Sequence, residues 1–306
     1  MSTSPVPVKP PSILTIERIL CPVDFSEFSA KAYDYALSLA HHYRAKLFLE
    51  HVVQPITSPY PYYAFPDSWS EIYWNLDAHA DTELKRLVQT HCWNGVQPDL
   101  VVHRGPVPAS ILSFADVQSV DLIVMGTHGR QGLDRLAMGS VTEKLLRKAR
   151  CPVLVVRKPV HDFVAHDKGK DPVRLRRVLL CTDFSESSER ALKYALSLAM
   201  EYNSELTLLH VLEQIPDSAG FQQATSQSIE KMQKLVPPDA DNWCSIRSAV
   251  RLGKPYQEIV QFALEAETDL IVMGVRGRNT LDIALFGSTA HRVIQLGSCP
   301  VLAVHV

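Results

Sequence analysis

The sequence predicts a doubly wound α/β fold built twice. Three observations carry that prediction. First, "RILCPVDFSEFSAKAYDYALSLA" at 18–40 returns as "RVLLCTDFSESSERALKYALSLA" at 177–199, an offset of 177 − 18 = 159. "DLIVMG" at 121–126 returns at 269–274, an offset of 269 − 121 = 148, and "CPVLVV" at 151–156 returns as "CPVLAV" at 299–304. A repeat unit this long is a domain, so the chain is a tandem duplication and not a solenoid. Second, runs such as "LIVM" and "VLVV" are apolar on both faces, which suits a parallel sheet buried between two helix layers. Third, such runs alternate with segments of helical period, and right-handed crossovers then restrict the topology.

The elements of the first copy follow in order. "RILCPVD" is a short strand ending at Asp24. The segment 26–43 places Ala32, Tyr35, Ala36, Leu39 and Ala40 on one helical face, with Ser26 as its N-cap. "AKLFLEHVV" (45–53) is the second strand, and its core "LFLEHV" (47–52) matches "LTLLHV" (206–211). A long helix covers 68–91, "DLVVHRG" (99–105) is the third strand and "ASILSFAD" (109–116) a short helix. "DLIVMG" is the fourth strand, a helix opens at about Ser140, and "CPVLVVR" closes the unit. The change of offset from 159 to 148 leaves 159 − 148 = 11 extra residues in copy one between His51 and Asp121. The polar run "KPVHDFVAHDKGKDPVR" (158–174) has no apolar period and marks the boundary, giving domains of about 13–160 and 172–306.

Composition narrows the function. Hydrophobic residues make up 46% and charged residues 21%, with a net charge of −2, so no basic surface for nucleic acid is indicated. No apolar run reaches the roughly 20 residues of a membrane span. The start, "MSTSPVPVKPPS", is rich in proline and lacks a secretory pattern, so a cytoplasmic location is expected. The six cysteines form no C-x-x-C pair, which argues against zinc and thioredoxin chemistry and for reduced core thiols.

The chemistry concentrates after the fourth strand. Copy one reads Gly126-x2-Gly129-x9-Gly139-Ser140 and copy two Gly274-x2-Gly277-x9-Gly287-Ser288. A glycine at the strand end permits close approach of a ligand to the backbone. Gly139 and Gly287 open helices, whose unpaired N–H groups and dipole favour an anion. Ser140 and Ser288 add hydroxyl donors, and Arg130, Arg135, Arg276 and Arg278 add positive charge. The pattern reads as a phosphate cradle. A competing reading is a tight turn plus cap, supported in copy one by "SVTE" (140–143), a capping box in which Ser140 serves the helix and Glu143 reaches back. The spacing is neither a Walker loop nor the dinucleotide fingerprint. Asp24 and Asp183 end the first strands at the same sheet edge. They fit either a ligand hydroxyl or amine, or an N-cap. Val52 and Val211 fit either an adenine edge or strand-end packing.

With "VDFS" and "TDFS" at the start of each copy, G-x2-G-x9-G-S in each and "CPVL" at each end, the chain resembles a tandem universal stress protein over both halves. The resemblance implies Rossmann-like, adenine nucleotide alpha hydrolase-like domains, each a five-stranded parallel sheet of order 3-2-1-4-5. It implies ATP binding, with Mg2+ or Mn2+ as the accompanying cation. Carried over by position, Pro22, Val23, Asp24 and Val52 would take the adenosine side, with Cys181, Thr182, Asp183 and Val211 as counterparts. Met125, Gly126, His128 and Gly129 would line the ribose and phosphate approach, as would Met273, Gly274, Arg276 and Gly277. Gly139, Ser140 and Val141 would hold the phosphates, as would Gly287, Ser288 and Thr289. Cys181 in place of Pro22, and Arg276 in place of His128, make the two sites unequal. The family also implies antiparallel pairing of the two closing strands as an internal pseudo-dimer, and admits a homodimer. Cys151 and Cys299 would then lie at opposite ends of the pair, too far apart for a disulfide.

The expected role is a nucleotide-dependent regulator of stress responses, with a protein partner. A slow ATPase or self-phosphorylating enzyme is the alternative. His128 is its best candidate base, and copy two lacks it. A scaffold with vestigial sites fits poorly with two intact glycine motifs. The aromatic run "YPYYAFPDSWSEIYW" (60–74) reads either as a lid or partner surface, or as rings packed on the protein itself.

Overall fold

A computed structural model of the chain describes residues 14–54, 68–91, 95–127, 138–157, 162–164, 173–214, 218–275 and 287–305. The first half runs β1 (Arg18–Pro22), α1 (Glu27–Tyr43), β2 (Lys46–Val53), α2 (Ser68–Thr90), β3 (Asp99–Arg104), α3 (Val107–Val117), β4 (Leu122–Gly126), α4 (Ser140–Lys148) and β5 (Val153–Val156). The second half repeats it as β6 (Arg177–Cys181), α5 (Glu186–Tyr202), β7 (Glu205–Leu212), α6 (Ser218–Leu235), β8 (Ser245–Leu252), α7 (Pro255–Glu265), β9 (Leu270–Gly274), α8 (Ser288–Leu296) and β10 (Val301–Val304). No helix among the described residues is long and apolar enough to cross a membrane.

All ten strands form one sheet, ordered β3-β2-β1-β4-β5-β10-β9-β6-β7-β8. Within each half the pairing is parallel. The join is antiparallel, with Val301 opposite Val155, Leu302 opposite Leu154 and Ala303 opposite Val153. These strands are buried along their whole length. Each would be an apolar edge if left unpaired, and each covers the other.

Two cores lie on the two faces. One joins α1 and α5 to both halves of the sheet through Tyr33, Tyr35, Leu39, Ala195, Leu196 and Leu198. The other joins α3, α4, α7 and α8 through Ile111, Leu145, Leu146, Ile259, Val293 and Ile294. Across the join, Tyr43 donates to Glu201 Oε2 at 2.9 Å and His42 Nε2 lies 3.0 Å from Glu201 Oε1.

A carboxylate present in both copies of the repeat has a plain structural task. Asp121 Oδ2 accepts from the Glu17 and Arg18 amides, each at 2.9 Å, and Asp269 Oδ2 accepts from those of Arg176 and Arg177 at 2.8 and 2.9 Å. Each therefore holds the start of its half's first strand beside the fourth. The described residues of the connecting run pack on the protein. Phe163 and Val164 are buried, Val164 pairs with Val173, and the Phe163 ring meets Tyr35 edge-on at 4.9 Å. The longer first half is reflected in α2, which has 23 residues against 18 in α6.

Candidate functional site

The carboxyl ends of β1, β2 and β4 meet at one sheet edge, where the strand order reverses between β2-β1 and β1-β4. Open α/β sheets place their crevice at that point. Three local structures shape it.

The first is the Asp-Phe-Ser turn after β1. Phe25 takes φ 64, turning the chain sharply out of the strand. Asp24 Oδ1 accepts from the Ser26 amide at 3.1 Å and from the Ser26 hydroxyl at 2.6 Å, and Ser26 Oγ accepts from the Ser29 amide at 3.2 Å. The N-cap is therefore Ser26, and the N-cap reading of Asp24 is corrected: its carboxylate braces the cap from outside the helix. The second half repeats the turn, with Phe184 at φ 60, and Ser185 donating to Asp183 Oδ1 at 2.5 Å.

The second is a histidine behind that turn. His51 Nδ1 lies 2.8 Å from the Val23 carbonyl and His210 Nδ1 2.8 Å from the Thr182 carbonyl. A carbonyl only accepts, so each Nδ1 carries the proton. The rings lie 4.5 Å from Phe25 and 4.6 Å from Phe184.

The third is the start of α4. Gly139 is the N-cap, at φ −62 and ψ 143, and no side chain caps the helix. The capping box expected at 140–143 does not form. The Gly139 amide bonds the Thr127 carbonyl at 2.9 Å, which places Ser140 one residue inside the helix, and Glu143 pairs with Arg147 at 2.5 Å. Gly287 caps α8 in the same manner, its amide 2.9 Å from the Val275 carbonyl. Among the described residues, no side chain accepts from the first-turn amides of either helix.

A cavity of about 640 Å3 lies between these structures. It brings together Pro22, Val23, Asp24, Val52, Met125, Gly126, Gly139, Ser140 and Val141. Those are nine of the eleven positions expected for the first copy; His128 and Gly129 lie outside the described residues. Leu76, His79 and Ala80 of α2, and Val107 and Ile111 of α3, complete its walls. In the second half, Cys181 ends β6, Thr182 and Asp183 form the turn, and Val211 lies in β7. Met273 and Gly274 end β9, and Gly287, Ser288 and Thr289 open α8. Arg276 and Gly277 lie outside the described residues, as do Arg130, Arg135, Arg278 and positions 60–67.

One expected reason for a glycine changes. A Cβ on Gly126 would meet the Phe28 backbone at 2.9 Å, and one on Gly274 would meet the Ser187 carbonyl carbon at 2.7 Å. These glycines admit α1 and α5 against the sheet, so the close approach there is made by protein.

The halves differ in detail. Thr142 Oγ1 donates to the Gly126 carbonyl at 3.1 Å, whereas Ala290 stands at its counterpart. Thr182, which replaces Val23, accepts from the Phe184 amide at 3.1 Å. Sequence reasoning missed Glu50, a fully buried carboxylate that lines the cavity, with Oε1 2.8 Å from His103 Nδ1. Burial pushes its pKa up, and the hydrogen bond with His103 opposes that. The signal was a charge inside the apolar run "LFLEHV", where copy two has Leu209.

Among the described residues, no cluster of three or more His, Cys, Asp or Glu side chains is arranged to hold a metal. No described cysteine is in a disulfide; burial pushes the Cys151 and Cys299 thiols up to about 12 and those of Cys21 and Cys181 further. Thiolate chemistry at neutral pH is thereby suppressed.

The model of the universal stress protein family matches residues 15–157 and again 174–305. The chain is similar to a universal stress protein of Mycolicibacterium smegmatis, 27% identical over 297 residues, covering 94% of this chain and 96% of that protein. It is also similar to one from Methanocaldococcus jannaschii, 34% identical over 143 residues, which covers 47% of this chain and 83% of that one. Among solved structures, a universal stress protein from Archaeoglobus fulgidus DSM 4304 shares the fold with a TM-score of 0.69 at 21% identity, covering 94% of this chain and 96% of that one.

Proposed function

The chain belongs to the universal stress protein family, and from that premise we propose that it is a cytoplasmic ATP-binding regulator of stress responses, with one nucleotide site in each half. The observation that carries this reading is the start of α4, a helix without a side-chain cap that opens onto a cavity of about 640 Å3. Helix N-termini attract anions through their N–H groups and dipole. In the first half Gly139, Ser140 and Val141 would hold the phosphates. Met125 and Gly126, with His128 and Gly129, would border the ribose and phosphates. Pro22, Val23, Asp24 and Val52 would border the adenosine. The second-half set is Cys181, Thr182, Asp183, Val211, Met273, Gly274, Arg276, Gly277, Gly287, Ser288 and Thr289.

The donor set fits a polyanion: amides and hydroxyls at a helix start, with no metal cluster among the described residues. A Mg2+ or Mn2+ ion would arrive with the phosphates. Bound nucleotide supplies charge and binding energy, which select one conformation by differential affinity for a partner protein.

Titration of ATP with magnesium tests the reading. Gly139 and Gly287 have φ near −60, a backbone that valine also adopts, so Gly139→Val with Gly287→Val should preserve the fold. The branched side chains crowd the helix starts, and the expected result is at least a roughly tenfold loss of affinity. Unchanged affinity in a folded double variant would remove the assignment.

A further inference from the structure

Beneath the first-half cavity is a carboxylate with a hydrogen bond left to make. Glu50 lies in β2 with 0% of its surface exposed. His103 on β3 is 2.8 Å from Oε1, while Oε2 is buried without a protein partner. A buried acceptor left unmade costs the full desolvation of that atom, so the arrangement favours a donor that arrives with a ligand.

Its surroundings indicate which donor. Glu50 and Val52 project from the same face of β2, two residues apart. Val52, Ile111 and Met125 are apolar and buried, and line the same cavity. They suit a flat ring with one polar edge. β4, which leads toward α4, lies two strands from β2. At 4.7–4.9 Å per strand that is about 10 Å, a span suited to a nucleotide with phosphates at α4 and base at β2. The second half offers no such acceptor at this position. Leu209 replaces Glu50, and Arg251, at the position of His103, pairs with Glu265 at 2.5 Å.

We propose that Glu50, positioned by His103, accepts a hydrogen bond from the exocyclic amino group of an adenine base and makes the first-half cleft selective for 6-aminopurine over 6-oxopurine nucleotides. The inference rests on the nucleotide-binding reading above. A 6-oxo group would set its lone pairs against Oε2, and rejection by an unmatched buried polar atom is strong.

The test uses the full chain carrying Gly287→Val, which silences the second half, titrated with ATP, ITP and N6,N6-dimethyl-ATP. ATP should bind at least about tenfold more tightly than either analogue. Glu50→Gln, whose amide can present N–H to a 6-oxo group, should reduce the ATP:ITP preference to about threefold or less. His103→Phe should lower the same ratio. A merely structural role would weaken both nucleotides alike and leave their ratio unchanged. The ligand series on unmodified Glu50 stands even if that variant fails to fold. Equal binding of ATP and ITP, or an unchanged ratio in a folded Glu50→Gln chain, overturns the role of Glu50 and leaves nucleotide binding intact. Failure of the wild-type chain to bind any of the three overturns the nucleotide reading, and this inference with it.

Discussion

Gly126 has no room for a side chain, and the atoms that fill the space belong to α1. A Cβ there would press on the Phe28 backbone at 2.9 Å, and backbone cannot move aside as a flexible side chain can. Gly126→Ala should therefore lower stability by about 1–3 kcal/mol, the usual cost of overpacking, read as a reduced urea midpoint. An unchanged midpoint would mean that α1 can retreat. Glu50 makes a second prediction at this scale. Its folded pKa is raised above the ordinary 4.5, with burial the larger cause. A raised carboxyl contributes its stability fully below the unfolded pKa and loses it as pH rises through the folded value. Glu50→Gln should thus become more stable relative to the wild type as pH rises above the ordinary 4.5, measured by denaturation at successive pH values. Parallel stability curves would contradict the shift. The glycines were legible in the sequence as special positions, but their reason was not, because the helix that crowds Gly126 is almost 100 residues away in the chain. The charge of Glu50 was equally visible; its partner His103 became assignable only once β2 and β3 paired.

At the scale of elements, periodicity located strands and helices well because each must bury a defined face. The helix over 68–91 is Ser68–Thr90, and Ser26 caps α1 as its spacing implied. The start of α4 was read less well. "SVTE" is a sound local capping box, yet Gly139 takes the cap because its amide is committed to Thr127 across the glycine loop. That contact is tertiary and overrides local preference. It is also what leaves the helix start without a side-chain cap, which is the feature the proposed phosphate site needs. The Asp-Phe-Ser turn shows the converse. Both copies keep Asp, Phe at positive φ and Ser in sequence, so the turn is built from adjacent residues and its order was readable.

Across the whole molecule, the duplication produces one sheet with two carboxyl edges. Antiparallel pairing of β5 with β10 reverses the strand direction between halves, so the two candidate clefts open at opposite edges of the sheet. Glu201, accepting from Tyr43 and lying beside His42, ties the paired helices across the join. The repeat makes the two halves evident in the sequence alone. The burial of Phe163 in the connecting run is not evident there, since the three residues Phe163 to Ala165 between polar neighbours are too few to show a period. Divergence between the halves, with Thr142 facing Ala290 in register and Glu50 facing Leu209, predicts two unequal sites. The most direct test of the central claim is the stoichiometry of ATP at saturation, determined by equilibrium titration of the wild-type chain and of Gly139→Val alone. The account predicts two equivalents per wild-type chain and the loss of one in the variant, with the remaining site unchanged. An identical isotherm for both proteins would contradict it, because the cleft at α4 would then hold no nucleotide.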